Sequence, residues 1–157
     1  MSKPKVYLET SIISYLVSKP SSDIKVVSNQ LATREWWENR ASSFDIFISN
    51  TVILEATRGD TEYSKKRLEL IADMGVLEIT DEVLMLAEDL VNNVLPAKAY
   101  QDALHIAVSS VNGIDFVLTW NFKHIANAEM SYDIIKVCHE AGFECPVLCS
   151  PSQLLGR

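Results

Sequence analysis

The sequence predicts an α/β fold, a three-layer α/β/α sandwich around a central parallel sheet, and three observations lead there. Short β-rich runs alternate with longer helical patterns along the whole chain, which is how parallel strands joined by crossover helices are written in a sequence. Helix start and stop signals punctuate that alternation at regular intervals. A chain of 157 residues with 48% hydrophobic and 22% charged residues has the length and composition of one domain, residues 1–157, with a substantial core.

In order, Lys5 to Leu8 reads as the first strand, followed by a short helix from Thr10 or Ser11 to about Val17. The stretch Pro20, Ser21, Ser22 and Asp23 breaks the pattern and caps a long helix through Arg40, which carries Val26, Val27, Leu31, Trp36 and Trp37. Asp45 to Ser49 is the second strand, with Asn50 or Thr51 as the cap of a helix containing Val52 to Ala56. Gly59 ends that helix, and Asp60 caps the next, which runs on to Gly75. Val76 to Ile79 reads as a third strand, Thr80 starts a helix to about Asn93, and Pro96 marks a turn. Ala99 to Val111 is a largely apolar helix, Phe116 to Thr119 a fourth strand, Ser131 to Ala141 a last helix, and Val147 to Cys149 a fifth strand. No internal repeat, low-complexity tract or linker interrupts this series.

The composition excludes several classes. No apolar run approaches the ~20 residues of a membrane span, and MSKPKVYLET leads straight into a strand without the apolar core of a signal peptide, so a cytoplasmic protein is expected. A net charge of −7 argues against a broad basic nucleic-acid face, although a divalent cation can neutralise an acidic cleft. The acidic surface would suit a basic partner chain. Cys138, Cys145 and Cys149 lack the paired spacing of a zinc module and read as reduced residues, while His139 beside Cys138 leaves a C-terminal metal clip open.

Three acids stand in the least polar parts of the chain: Glu9 in VYLETSIISYL, Glu55 in SNTVILEATRGD and Asp102 in YQDALHIAVSS. An ionised carboxylate is costly to bury unless it is paired or bound to a cation, so acids embedded in three separate apolar segments suggest one shared divalent-metal site. In open parallel sheets such sites form beyond the C-terminal strand ends, where Glu9, Glu55 and Asn121 fall in this reading. Each residue also has a plainer use. Glu9 could cap the following helix, Glu55 could pair with Arg58 three residues on, and Asp102 could complement a helix dipole. Asn121 could be a turn residue, and His105, at i+3 from Asp102, is either a further ligand or a hydrogen-bonded packing residue.

These segments together resemble the PIN-domain family, in particular the VapC-type toxins of toxin-antitoxin pairs. YLETSIISYL, VILEATRGD, QDALHIAVS and LTWNFKHI occur in the family's order and at similar spacing across nearly the whole chain. The resemblance implies an endoribonuclease acting on single-stranded RNA with Mg2+ or Mn2+, with Glu9, Glu55 and Asp102 as catalytic metal ligands and Asn121 where many members carry a fourth acid. It implies that Thr10 and Ser11 brace the first acid or a metal-bound water. Two departures stand out: Glu9 replaces an aspartate and adds a methylene, and Asn121 removes a charge. The acids would fix a hard cation that polarises a phosphoryl oxygen and activates water. Arg58, Lys123 and His124 are the nearest candidates for holding substrate phosphates, or are simply solvent-facing. The resemblance also implies an antitoxin protein as partner and a homodimer. Trp36 and Trp37 support the latter, since adjacent side chains on a helix point about 100° apart and are not expected to enter one core together; part of the interface should come from their helix or from Lys65 to Met74.

Other functions fit less well. The ETSIIS turn has no glycine for a dinucleotide pyrophosphate, no second acid follows Glu9 by two residues as an aspartyl phosphatase needs, and no Gly-x-Ser-x-Gly or P-loop string occurs. The remaining alternative is a catalytically weakened PIN-like domain that binds RNA or protein.

Overall fold

A computed structural model of the chain describes residues 2–156. Its strands are β1 (Lys5–Leu8), β2 (Asp45–Ser49), β3 (Gly75–Leu77), β4 (Phe116–Leu118) and β5 (Val147–Cys149). They form one sheet in the order β3-β2-β1-β4-β5, with every neighbouring pair parallel. The helices are α1 (Thr10–Val17), α2 (Ile24–Asn39), α3 (Asn50–Ala56), α4 (Thr61–Ile71), α5 (Asp81–Asn93), α6 (Tyr100–Val111) and α7 (Ser131–Glu140). Right-handed crossovers place α1, α2 and α4 in one layer, and α5, α6 and α7 in the other, in agreement with which helices touch. The expected three-layer α/β/α sandwich is therefore the observed one.

Local chemistry sets most boundaries. Asp23 accepts from the Val26 amide to cap α2, Asp60 from those of Glu62 and Tyr63 to cap α4, and Thr80 from that of Val83 to cap α5. Two details differ from expectation. The third strand opens on Gly75, which pairs with Phe47 of β2. A Cβ at Gly75 would stand 2.8 Å from the Phe47 ring, so the glycine makes room for an aromatic cross-strand neighbour as well as ending the preceding turn. The start of α3 differs too: Ser49 holds its N-cap position but makes no capping bond, because its hydroxyl is bonded to Tyr7 instead.

The tryptophan argument for an interface is corrected. Trp36 is fully buried and Trp37 packs against the same core, their rings 6.5 Å apart and Trp36 a further 5.8 Å from Phe44. Trp37 stays partly exposed, and the tilt of the rings lets it rest on the core that encloses Trp36.

The connectivity creates the site. From central β1 the chain moves outward through β2 to β3, then returns through α5 and α6 to β4 on the other side of β1. Connections above β1 and β4 thus diverge, and a crevice opens beyond their C-terminal ends. Val6, Tyr7 and Leu8 are all fully buried, so β1 delivers Glu9 from the middle of the core to that crevice. Among the described residues, no helix is long and apolar enough to cross a membrane.

Candidate metal centre

Glu9 follows the last residue of β1 and is only 7% exposed. Its Oε2 accepts from the Ser11 amide at 3.2 Å, so the plain capping role is real. Its Oε1 accepts from the hydroxyls of Ser11 and Thr119, each at 2.6 Å. The backbone supports the same junction: Glu9 N–H donates to the Leu118 carbonyl, and the Trp120 amide donates to Ser11 Oγ at 2.9 Å. The first acid is therefore held by both strands of the crevice.

Glu55 arrives on α3, a short helix that touches α1, α4 and α6. Its Oε1 accepts from Thr10 Oγ1 at 2.9 Å and bonds His105 Nε2 at 2.6 Å. Among the described residues its ion-pair partner is His105 and not Arg58, the plainer alternative to a metal role. Arg58 is exposed, and its charge still reaches Glu55. On α6, Asp102 precedes His105 by three residues and shares its face. Asp102 Oδ2 bonds His124 Nδ1 at 3.0 Å. Asn121 spends its side-chain oxygen on the His124 amide and its own N–H on Thr119 Oγ1, so it shapes the turn that brings His124 to Asp102. Lys123 lies exposed beside it.

The electrostatics tie these groups together. His105 is fully buried, which by itself lowers its pKa, but the bond to Glu55 and the negative charges of Glu9, Glu55 and Asp102 outweigh burial and raise it. All three acids thus act on one imidazole. Burial pushes Glu55 up, yet the hydrogen bonds from His105 and Thr10 with the charges of His105 and Arg58 leave it lowered. Tyr7 is driven up by burial, opposed by its bond to Ser49, with the charges of Glu9 and Glu55 adding to the rise.

The donor set suits a hard divalent cation: three carboxylates with hydroxyls behind them and no thiolate. Glu55 Oε2 and Asp102 Oδ1 accept no hydrogen bond from any described residue. As the side chains stand, no three His, Cys, Asp or Glu residues among those described are close enough together to hold a metal ion, so Glu9, Glu55 and Asp102 would have to turn toward one another to share it. The chemistry fits the cation, and Glu55 and Asp102 keep the free oxygens it would need. Around His139, too, no such ligand group is assembled among the described residues. Cys138 lies buried near Ser110 Oγ, and Cys145 donates to the Pro146 carbonyl. Burial pushes the Cys149 thiol up to about 11, and all three cysteines are free.

Sequence reasoning missed Tyr7, Ser49 and Thr119. One signal was present for Tyr7, since a phenol inside a strand covered on both faces needs a buried partner.

The PIN domain profile matches residues 6–128, a span that contains every residue of this site. Two solved structures share the fold. One is the toxin VapC20 of Mycobacterium tuberculosis, which cleaves the sarcin-ricin loop, at 17% identity and TM-score 0.60, covering 76% of this chain and 92% of that one. The other is VapBC2 of Rickettsia felis bound to a DNA fragment from its promoter, at 15% identity and TM-score 0.53, covering 75% of this chain and 89% of that one. No curated protein matches the chain. With that profile spanning most of the sequence, the chain belongs to the PIN domain family.

Proposed function

We propose that this protein is an endoribonuclease that hydrolyses single-stranded RNA with Mg2+ or Mn2+, as the toxin of a toxin-antitoxin pair. The observation that carries the reading is the placement of Glu9 at the end of the central strand β1 and of Glu55 bonded to His105, one helical turn from Asp102 on α6, at the switch point of a PIN fold. Such a cation would polarise a phosphoryl oxygen and activate water. The chain's own residues do the rest. Glu9, anchored by Ser11 and Thr119, offers a fixed carboxylate at the strand end. Glu55 offers Oε2 and Asp102 offers Oδ1. Thr10 braces Glu55. Arg58 and Lys123, exposed at the rim, hold flanking phosphates as point charges, while His124 orients Asp102.

The finer assignments follow the same reading: one domain over residues 1–157, a cytoplasmic location, a homodimer, and an antitoxin protein as partner. The VapB–VapC assembly of Rickettsia felis supports the last of these. The bonds of Glu55 and Asp102 to histidines favour a second reading, a catalytically weakened domain that binds RNA or protein.

Cleavage of a long single-stranded RNA separates them. Purified protein is incubated with Mg2+, Mn2+ or excess chelator beside an Asp102→Asn variant. Cleavage that needs the metal and vanishes in the variant supports the proposal. No cleavage with either metal favours the binding module, and cleavage that persists in chelator overturns the mechanism.

A further inference from the structure

Behind Glu55 runs an unbroken line of side-chain hydrogen bonds. Ser49 Oγ lies 2.8 Å from Tyr7 Oη, Tyr7 Oη 2.6 Å from His105 Nδ1, and His105 Nε2 2.6 Å from Glu55 Oε1. Ser49, Tyr7 and His105 are fully buried. Water is therefore no substitute for any partner, and a broken link would leave a buried polar group unsatisfied.

The direction of the line follows from donor capacity. An ionised carboxylate only accepts, so the proton on Nε2 faces Glu55. In the neutral ring Nδ1 must then accept from the Tyr7 hydroxyl, whose oxygen accepts from Ser49. If the ring is charged, Nδ1–H donates to Tyr7, and Nε2–H still faces Glu55. Tyr7 thus selects the tautomer that Glu55 needs. Without it a neutral ring is free to place its Nε2 lone pair against the carboxylate, which repels it.

We propose that His105 and Tyr7 are positioning residues that clamp Glu55 Oε1 and so reserve Oε2 for the cation. The proposal rests on the reading of Glu55 as a metal ligand. It also accounts for a histidine and a tyrosine buried in the centre of the molecule, where an apolar pair would pack with no hydrogen bonds to satisfy. Tyr7 belongs to β1, Ser49 to β2 and His105 to α6, so the line ties Glu55, on the short α3, to the sheet and to the helix that carries Asp102.

The test is Mn2+ affinity of the full chain, read from the electron paramagnetic resonance signal of free Mn2+, with thermal unfolding recorded on the same samples. Loss of a hydrogen bond behind a metal ligand commonly costs roughly 10–100-fold in affinity. Tyr7→Phe and His105→Phe should each weaken Mn2+ binding within that range. His105→Gln, which retains an N–H near the position of Nε2, should restore most of the loss. Tyr7→Phe added to His105→Phe should weaken binding no further, because the tyrosine acts only through the ring. Should His105→Phe not fold, Tyr7→Phe and His105→Gln still carry the comparison. Mn2+ affinity unchanged in folded Tyr7→Phe or His105→Phe, with only the melting temperature lowered, overturns the proposal, as does an additive double variant. A Glu55→Gln variant binding Mn2+ as tightly as the parent would instead remove Glu55 from the ligand set, and the clamp with it.

Discussion

Replacing Glu9 by aspartate puts back the acid that the family resemblance leads one to expect, yet the structure predicts a loss of stability. Glu9 Oε1 accepts from Thr119 Oγ1 at 2.6 Å. Withdrawing the carboxylate by one carbon–carbon bond, about 1.5 Å, lengthens that contact to about 4 Å, beyond hydrogen-bond reach. Aspartate is a good N-cap and should keep the bond to the Ser11 amide, so the loss falls on the hydroxyls that share Oε1, that of Ser11 and above all that of Thr119. That residue is fully buried, and an unsatisfied buried donor costs about 1–3 kcal/mol. In a chain of this length each kcal/mol moves the melting temperature by about 2–4 °C. Glu9→Asp should therefore melt about 2–12 °C lower in chelator. Thr119→Val removes the same bond from its other end, and the double variant should lose little more than the worse single. The reasoning is refuted if Glu9→Asp melts with the parent, or if the two losses add.

Gly75→Ala forces the Phe47 ring aside and should cost about 1–3 kcal/mol in urea denaturation, largely relieved by adding Phe47→Leu. Asp102→Asn should abolish cleavage while changing stability by less than about 1 kcal/mol, because its pair with His124 is partly exposed; a collapsed fold would contradict this. The Glu55–His105 pair predicts a pH window in chelator. Glu55 is lowered from 4.5, so its contribution is complete above that pH and is lost as pH falls below it. His105 is raised from 6.5, so its contribution is complete below that pH and is lost as pH climbs past it. The stability gap between the parent and Glu55→Gln should be widest between 4.5 and 6.5, and a gap that grows steadily toward high pH would refute the pairing.

Strands and capped helices were legible because their signals are local. Asp23, Asp60 and Thr80 announce helix starts from a few neighbouring residues, and the acids betray themselves by their apolar surroundings. What connects them is not local. Glu55 offered Arg58 as a partner three residues away, but the structure pairs it with His105, fifty positions on, because α3 meets α6 at the sheet edge. Ser49 read only as the end of the second strand, whereas its hydroxyl bonds that of Tyr7 on the neighbouring strand. Thr119 looked like the end of a strand and is instead the anchor of the first acid. Trp36 and Trp37 diverge on an isolated helix, yet Trp37 still packs, partly buried, against the core that encloses Trp36 and Phe44. Such pairings depend on topology, which short-range pattern does not carry.

Whether Glu9, Glu55 and Asp102 serve one cation at the β1–β4 crevice is decided by anomalous diffraction from crystals grown with Mn2+. The expected manganese peak is bound by oxygens of all three carboxylates, with the Oε2 atom of Glu55 facing the ion while Oε1 keeps its bond to His105. A manganese peak bound elsewhere, or one in the crevice that Glu55 and Asp102 do not touch, would contradict it.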